Sequence, residues 1–259
     1  MVSVCMATYN GERFIKQQID SILPQLSLDD ELIISDDGST DKTLEIIASY
    51  NDKRIKILHH ERKSSKYYPS LSVPYATFNF ENALRASKGD YIFLSDQDDI
   101  WLPTKISECL GFLKHFDYVA SNLSIIDENG KFLKEKMYVY KPFSNNVLIN
   151  CIRPNFWGCC ACFNRTILQK ALPFPDSICL HDFWLGLVAT KIGKMFWYEK
   201  PLVLHRIGNQ NTSTGGKKSQ NSMWIKFLYR FNAFLDYKKL KKESNYSAPK
   251  IQSKEQGSL

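Results

Sequence analysis

The chain has 259 residues, of which 44% are hydrophobic and 24% are charged, a composition that is ordinary for a folded globular protein and argues against a disordered chain. The formal net charge is +7, and the segment from Lys217 to Lys242 alone carries a charge of +7. The rest of the chain is therefore nearly neutral, which argues against a protein body that binds nucleic acid.

The seven cysteines indicate a reducing compartment rather than a disulfide framework, because their number is odd and several lie in apolar runs. Cys159, Cys160 and Cys162 are interpreted as small core residues, since no partner pair follows to complete a zinc site. The N-terminus lacks the basic segment of a signal peptide, and no apolar run approaches the ~20 residues of a spanning helix. We therefore expect a cytoplasmic protein.

Strand patterns alternate with helical patterns in the first hundred residues. The predicted strands cover residues 2–8, 31–35, 54–58 and 91–95, and the predicted helices cover residues 14–23, 42–49 and 80–86. A polar loop with prolines is expected from His59 to Pro74. Such alternation is typical of right-handed βαβ units, so the fold class is α/β with a mainly parallel central sheet flanked by helices.

The second half of the chain is less regular. We predict a helix from Pro103 to about Phe116 and a strand from Tyr118 to Ile126 that enters a hairpin turn. The remaining predicted elements are helices at 165–171 and from 181 onward, short strands at 195–198 and 202–204, and a polar loop at 205–216.

Two of the predicted strands end in acidic loops. Asp36 and Asp37 follow one strand, and Asp96, Asp98 and Asp99 follow another. Ligands of open α/β sheets bind beyond the carboxyl ends of the strands, so both loops should face one crevice. Carboxylates held there form a site for Mg²⁺ or Mn²⁺. The alternatives are a helix N-cap for the first loop and a solvated acidic turn for the second.

Four motifs resemble, in order and in kind, those of the inverting, nucleotide-sugar-dependent glycosyltransferases of family 2, which have the GT-A fold. The motifs are VSVCMATYNG at 2–11, ISDDGSTD at 34–41, LSDQDDIW at 94–101 and HDFW at 181–184. The closest resemblance is to bacterial rhamnosyltransferase-like members that build cell-surface polysaccharides. It implies a metal-dependent enzyme that uses a nucleotide-sugar donor.

The resemblance also implies where the donor binds. Thr8 and Tyr9 would contact the nucleotide, and Asp36 would accept a hydrogen bond from the pyrimidine imide N–H, with Asp37 alongside. This pair does not separate a UDP-sugar from a dTDP-sugar such as dTDP-rhamnose, because both bases present the same imide edge. Arg206 would hold the diphosphate.

Asp96 and Asp98 match the Asp-x-Asp motif of the family, with Asp98 as the expected direct metal ligand and Asp96 on ribose or metal. Family members often carry a metal-binding His two residues after the Arg, but here that position is Gly208 and His205 precedes Arg206 instead. Whether the protein supplies a third metal ligand is therefore an open question. His205 would replace the missing histidine only if the loop shifts.

Asp182 matches the general base that deprotonates the acceptor hydroxyl, the alternative being an N-cap of the helix that follows. Trp157 and Trp184 are candidates either for the acceptor pocket or for the core. The expected acceptor is a glycan, either lipid-linked or an oligosaccharide.

We predict a glycosyltransferase domain at 1–216, with a donor half at 1–101 and an acceptor half at 102–216. A basic amphipathic helix at 217–242 would either contact an anionic membrane surface, at the inner face of the cell membrane, or dock on the domain. Residues 243–259 are expected to be disordered. Competing functions are a different metal-dependent nucleotide-diphosphate transferase and a non-catalytic membrane adaptor on a degenerate scaffold.

Overall fold

A computed structural model describes residues 1–208 and 221–240 of the chain. Within these ranges, nine strands form one sheet. They are β1 (Val2–Thr8), β2 (Glu31–Asp36), β3 (Ile55–His59), β4 (Tyr91–Ser95), β5 (Ile100–Trp101), β6 (Tyr118–Ile126), β7 (Phe132–Lys134), β8 (Ala161–Asn164) and β9 (Met195–Arg206). The strand order is β3-β2-β1-β4-β8-β6-β9-β5, with β7 paired to β6.

The sheet has a parallel half and a mixed half. Strands β3, β2, β1 and β4 run parallel to one another, as the alternation of strands and helices predicted. β8 is antiparallel to both β4 and β6, whereas β6 and β9 are parallel. Thr8 is paired with Asp36 across β1 and β2, so the polar ends of the parallel strands meet at one edge of the sheet.

Eight α-helices flank the sheet in the described part of the chain. They are α1 (Ile15–Ile22), α2 (Thr43–Ala48), α3 (Val73–Ala86), α4 (Lys105–Leu113), α5 (Val147–Ile152), α6 (Arg165–Ala171), α7 (His181–Ile192) and α8 (Met223–Lys239). Alternate residues of β1 enter opposite cores, because successive side chains of a strand point to opposite faces. Val4 and Met6 pack with α1 and α4, and Cys5 packs with α3 and α7.

Besides the unpredicted strands β5 and β8, three elements differ from the sequence-based predictions. Helix α3 begins at Val73, seven residues before the predicted start, because Pro74 lies in its first turn, where a missing N–H costs nothing. The two short strands predicted at 195–198 and 202–204 form the single strand β9, which follows β6 through an irregular register. Helix α5 was not predicted, and its N-cap is Asn146.

The predicted C-terminal helix is confirmed as α8, which packs on α5 and α7. No helix within the described ranges is both long and apolar enough to cross a bilayer. The predictions for the loop at 209–216, for Lys217, Lys218, Lys241 and Lys242 and for the tail at 243–259 lie outside the described residues.

Candidate active site

A cavity of about 190 Å³ opens at the carboxyl ends of β1 and β4. It is lined by residues from both acidic loops, from α3 and from the end of β9. They include Ala7, Thr8, Tyr9, Asp37, Arg62, Tyr75, Asn79, Asp96, Gln97, Asp98 and His205. We call this space the donor cleft, because it contains most of the residues assigned above to the nucleotide sugar.

Gln97 connects the two strand ends that form the cleft. Its Oε1 accepts hydrogen bonds from Thr8 Oγ1 at 2.5 Å and from the Tyr9 backbone N–H at 2.9 Å. Its Nε2 donates to the Tyr9 carbonyl at 3.1 Å. The side chain of Asn79 donates to the Thr8 carbonyl, while its buried Oδ1 has no partner among the described residues. Neither residue was singled out from the sequence.

Asp36 and Asp37 have different surroundings. Both oxygens of Asp36 accept bonds within its own turn, from the Gly38 and Ser39 backbone N–H groups and from Ser39 Oγ. Asp37 lines the donor cleft, and its Oδ1 lies 2.5 Å from His60 Nδ1. Burial raises the pKa of Asp37, and the bond to His60 offsets part of the rise. Asp36 therefore stabilises the loop, and Asp37 is the carboxylate that faces the cleft.

Arg62 contributes a positive charge to the donor cleft. Its guanidinium carbon lies 3.9 Å from the centre of the Tyr9 ring and 4.4 Å from that of the Tyr75 ring. Stacking between two aromatic rings orients the planar group without occupying all its donors. Arg62 was missed in the sequence because it lies in an irregular loop with no recognisable motif.

A second cavity, of about 320 Å³, adjoins the donor cleft. Its walls come from α3, the segment before β8, the start of α7 and the inner side of α8. They include Phe156, Trp157, Gly158, Cys159, His181, Asp182 and Tyr229. Ala76, Phe80, Asp96 and His205 line both cavities, so the two spaces meet at these residues. We call the second space the acceptor cavity.

Asp182 lies in the first turn of α7, whose N-cap residue is Leu180 and not Asp182. Its Oδ1 accepts a hydrogen bond from the Phe183 backbone N–H at 2.7 Å. Burial raises the pKa of Asp182 to about 6, although that bond favours the ionised form. A carboxylate with this pKa is ionised near neutral pH and is a stronger base than a solvated aspartate.

The structure also shows the surroundings of His181, Trp157 and Trp184. The His181 ring stacks on Phe80 with centroids 4.0 Å apart, and its buried Nε2 has no partner among the described residues. Burial lowers the pKa of His181 to about 3, so the ring is neutral. Trp157 lines the acceptor cavity, whereas Trp184 is buried in the core and donates from Nε1 to the Ala171 carbonyl.

Where the two cavities meet, Asp96, Asp99, Cys159 and His205 place one ligand atom each within 4.8 Å of one another. The short strand β5 pairs with β9 and thereby brings Asp99 to His205 without any shift of the loop. His205 Nδ1 lies 2.8 Å from Asp99 Oδ1, and the buried Asp99 Oδ2 has no partner in the described chain. Asp98 lies outside this cluster but lines the donor cleft.

The carboxylates of this region repel one another. Burial and the charges of Asp99 and Asp98 raise the pKa of Asp96 well above its ordinary value. Burial and the charge of Asp99 raise the pKa of Asp98 to about 7. Burial alone would lower the pKa of His205, but the carboxylates of Asp99, Asp96 and Asp98 together outweigh it and raise that pKa to about 9. Crowded carboxylates with an orphaned oxygen fit a hard divalent cation, which would offset this repulsion.

Arg206 is buried and does not line either cavity. Its guanidinium donates to the backbone carbonyls of Asp98, Asp127 and Glu128 and to Gln17 Oε1. In this arrangement it joins the acidic loop to the hairpin turn after β6. Its assignment to the diphosphate stays a prediction that the geometry does not support.

Comparison with known proteins identifies the family to which the chain belongs. Residues 3–172 match the glycosyl transferase family 2 model. A glycosyltransferase of Haemophilus influenzae is 34% identical over 262 residues, covering 92% of this chain and 98% of that protein. The dTDP-rhamnosyl transferase RfbG of Shigella flexneri is 30% identical to this chain, and the match covers 83% of this chain and 75% of RfbG.

The E. coli enzyme WfgD is 29% identical to this chain, and the match covers 74% of this chain and 70% of WfgD. WfgD is named as a UDP-Glc:alpha-D-GlcNAc-diphosphoundecaprenol beta-1,3-glucosyltransferase. The S. aureus TarS 1–349 structure with UDP-GlcNAc has a TM-score of 0.63 at 18% identity, covering 84% of this chain. This chain spans 61% of that fragment.

The mannosyltransferase PcManGT of Pyrobaculum calidifontis, solved with GDP-Man and Mn²⁺, has a TM-score of 0.57 at 17% identity. The match covers 90% of this chain and 69% of the PcManGT chain. These structural neighbours confirm the expected GT-A fold. The family model covers well over half of the chain, and the chain belongs to glycosyl transferase family 2.

Proposed function

We propose that this protein transfers a sugar, with inversion, from a UDP- or dTDP-sugar to a lipid-linked or oligosaccharide acceptor during synthesis of a bacterial cell-surface polysaccharide. One observation carries the proposal: the donor cleft and the acceptor cavity meet at Asp96 and His205, with Asp182 on the acceptor side. A sugar held at this junction would have the leaving diphosphate on one side and the attacking hydroxyl on the other.

On the donor side, Asp37 takes the base-binding role, because it faces the cleft and accepts hydrogen bonds when ionised. Thr8 and Tyr9 line the same cleft and contact the nucleotide. Arg62 binds the diphosphate, since its planar guanidinium matches phosphate oxygens.

Mg²⁺ or Mn²⁺ suits the carboxylates of Asp96 and Asp99 and the imidazole of His205, with Asp98 nearby, whereas the sulfur of Cys159 is a soft ligand that these hard ions disfavour. An ion held by these residues would supply positive charge to the diphosphate leaving group, where negative charge grows in the transition state. Asp99 and His205 are almost fully buried, and such removal from water strengthens electrostatic interactions.

On the acceptor side, Asp182 acts as general base. The acceptor oxygen forms a bond to the anomeric carbon as the bond from that carbon to the diphosphate oxygen breaks. The hydroxyl proton passes to the Asp182 carboxylate, and the nucleoside diphosphate leaves with the bonding electrons. Attack opposite the leaving group inverts the anomeric configuration.

The acceptor and donor classes draw support from two relatives. WfgD is named for a UDP-Glc donor and a diphosphoundecaprenol-linked acceptor, and RfbG is named as a dTDP-rhamnosyl transferase. A dTDP-sugar, dTDP-rhamnose among them, and a UDP-sugar fit Asp37 equally well. Because such acceptors are membrane lipids, we propose that the protein acts as a peripheral protein at the cytoplasmic face of the membrane.

A donor screen tests the proposal. Purified protein is incubated with Mn²⁺, bacterial membrane lipids and a panel of UDP-, dTDP- and GDP-sugars, and nucleoside diphosphate release is measured. We expect release from a UDP- or dTDP-sugar, dependent on the lipid extract and abolished by a metal chelator. Binding of Mn²⁺ and UDP without release from any donor would instead favour the non-catalytic adaptor.

A further inference from the structure

Helix α8 is apolar on two opposite faces. One face is buried against the domain through Tyr229 and Ala233. On the opposite face, Trp224 is 69% exposed, Phe227 55% and Phe231 44%. The spacing of three and four residues places these rings in one row, and consecutive rings stack with centroids 5.8 and 5.7 Å apart. The sequence did not distinguish a helix docked on the domain from a helix at a membrane interface. In the structure α8 has an apolar face for each: one packs on the domain and the other is exposed.

Helix α5 packs beside α8 and extends the exposed apolar surface. Leu148 and Ile152 of α5 are largely exposed, and the Ile152 carbonyl accepts a hydrogen bond from Arg230 of α8 at 3.2 Å. This bond fixes the two helices to each other. We define the apolar patch as the exposed side chains Leu148, Ile149 and Ile152 of α5 and Trp224, Phe227 and Phe231 of α8.

A helix that only docks on its own domain presents a polar face to water. Here the solvent side holds large aromatic and aliphatic side chains from two adjacent helices, and exposed apolar surface on this scale marks an interaction site. The patch is therefore a surface at which a partner would bind.

The charges around the patch favour an anionic lipid surface over a second copy of the chain. Lys238 and Lys239 of α8 are exposed, and Lys226 and Arg230 are partly exposed. The one acidic residue of α8, Asp236, is buried against Ser177 and offsets the charge of Lys239. Arg153 is exposed at the end of α5. Two copies meeting through this face would bring like charges together, whereas aromatic rings among basic residues suit the bilayer interface.

We propose that the apolar patch docks the protein on an anionic phospholipid bilayer. Tyr229, on the buried face of α8, lines the acceptor cavity that contains Asp182. Docking through the outer face of the same helix holds that cavity next to the membrane. The link to a lipid-borne acceptor rests on the proposed function, but docking itself does not.

Vesicle co-sedimentation without any nucleotide sugar tests the docking. We expect the full chain to bind vesicles of phosphatidylcholine with phosphatidylglycerol at least about tenfold more strongly than vesicles of phosphatidylcholine alone. High salt should remove this preference, because the phospholipid charge is then screened. The variant F227S/F231S should bind the anionic vesicles about tenfold or more weakly than the wild type.

The matched control is F132S/L133S, which removes two apolar side chains of β7 that are 58% and 53% exposed and lie outside the patch. It should bind vesicles as the wild type does, and both variants should keep the thermal midpoint of the wild type. The proposal is overturned if the wild type shows no preference for anionic vesicles or if F227S/F231S binds them as strongly as the wild type does. It is also overturned if the wild type is a dimer and F227S/F231S is a monomer, because the patch would then bind a second copy of the chain. A protein that binds vesicles but transfers no sugar would contradict the proposed function and leave docking intact.

Discussion

Replacing Asp182 with asparagine tests the proposed base with little structural disturbance. Asparagine has nearly the same volume, and its carbonyl oxygen still accepts the hydrogen bond from the Phe183 backbone N–H. It loses only the capacity to take a proton near neutral pH. Loss of a general base lowers the transfer rate by about 10²–10⁴-fold, which corresponds to about 3–5 kcal/mol of transition-state stabilisation.

The raised pKa of Asp182 adds a second signature. With a pKa of about 6, about nine-tenths of the groups are ionised at pH 7 and about one-tenth at pH 5. Because the base works only when ionised, the wild-type rate should fall about tenfold from pH 7 to pH 5, and Asp182→Asn should lose this dependence. The rate is measured at saturating donor, since Asp98 titrates in the same range and affects donor binding.

The assay follows nucleoside diphosphate release with the donor and acceptor found by the screen, and calorimetry with UDP and Mn²⁺ measures donor binding. Asp176→Asn, an exposed aspartate on the loop before α7 and outside both cavities, is the matched control. A wild-type rate in Asp182→Asn, with nucleotide binding unchanged, would refute the assignment.

Three further predictions concern single side chains. Arg206→Lys should lower the free energy of unfolding by about 2–4 kcal/mol, because lysine cannot satisfy the separate acceptors that the buried guanidinium reaches; an unchanged denaturation curve would contradict this role. Arg62→Ala should weaken UDP binding about tenfold or more in calorimetry, whereas Arg85→Ala, outside the donor cleft, should leave it unchanged. Gly186→Ala should cost about 1–3 kcal/mol of stability, because the new Cβ would lie 2.3 Å from the Phe156 ring. Gly111→Ala, which meets nothing within 4 Å in α4, should not destabilise the protein, and equal losses in both would contradict the packing argument.

The parallel half of the sheet was predictable because its strands are continuous apolar runs that end in polar loops. Loops at the carboxyl ends of neighbouring parallel strands must converge, so the meeting of Thr8, Asp37 and Asp96 in one cleft follows from topology. The mixed half was less predictable, because β8 follows a 3₁₀ turn at Gly158–Cys160 and inserts antiparallel between β4 and β6.

The orientation of individual side chains was beyond the sequence. Asp36 and Asp37 are adjacent, and the structure alone shows that the first closes its own turn while the second faces the cleft. Arg206 is held by carbonyl groups far away in the chain, and a local motif contains no information about such contacts. Arg62 reaches the cleft from an irregular loop for which periodicity makes no prediction.

The location of bound nucleotide tests the central claim most directly. A crystal structure of the protein with UDP and Mn²⁺ should show the pyrimidine beside Asp37, the diphosphate near Arg62 and the metal between Asp96 and His205. Nucleotide density in another cavity, such as the one lined by Lys63, Lys66 and Arg85, or a metal bound away from Asp96, would contradict the account.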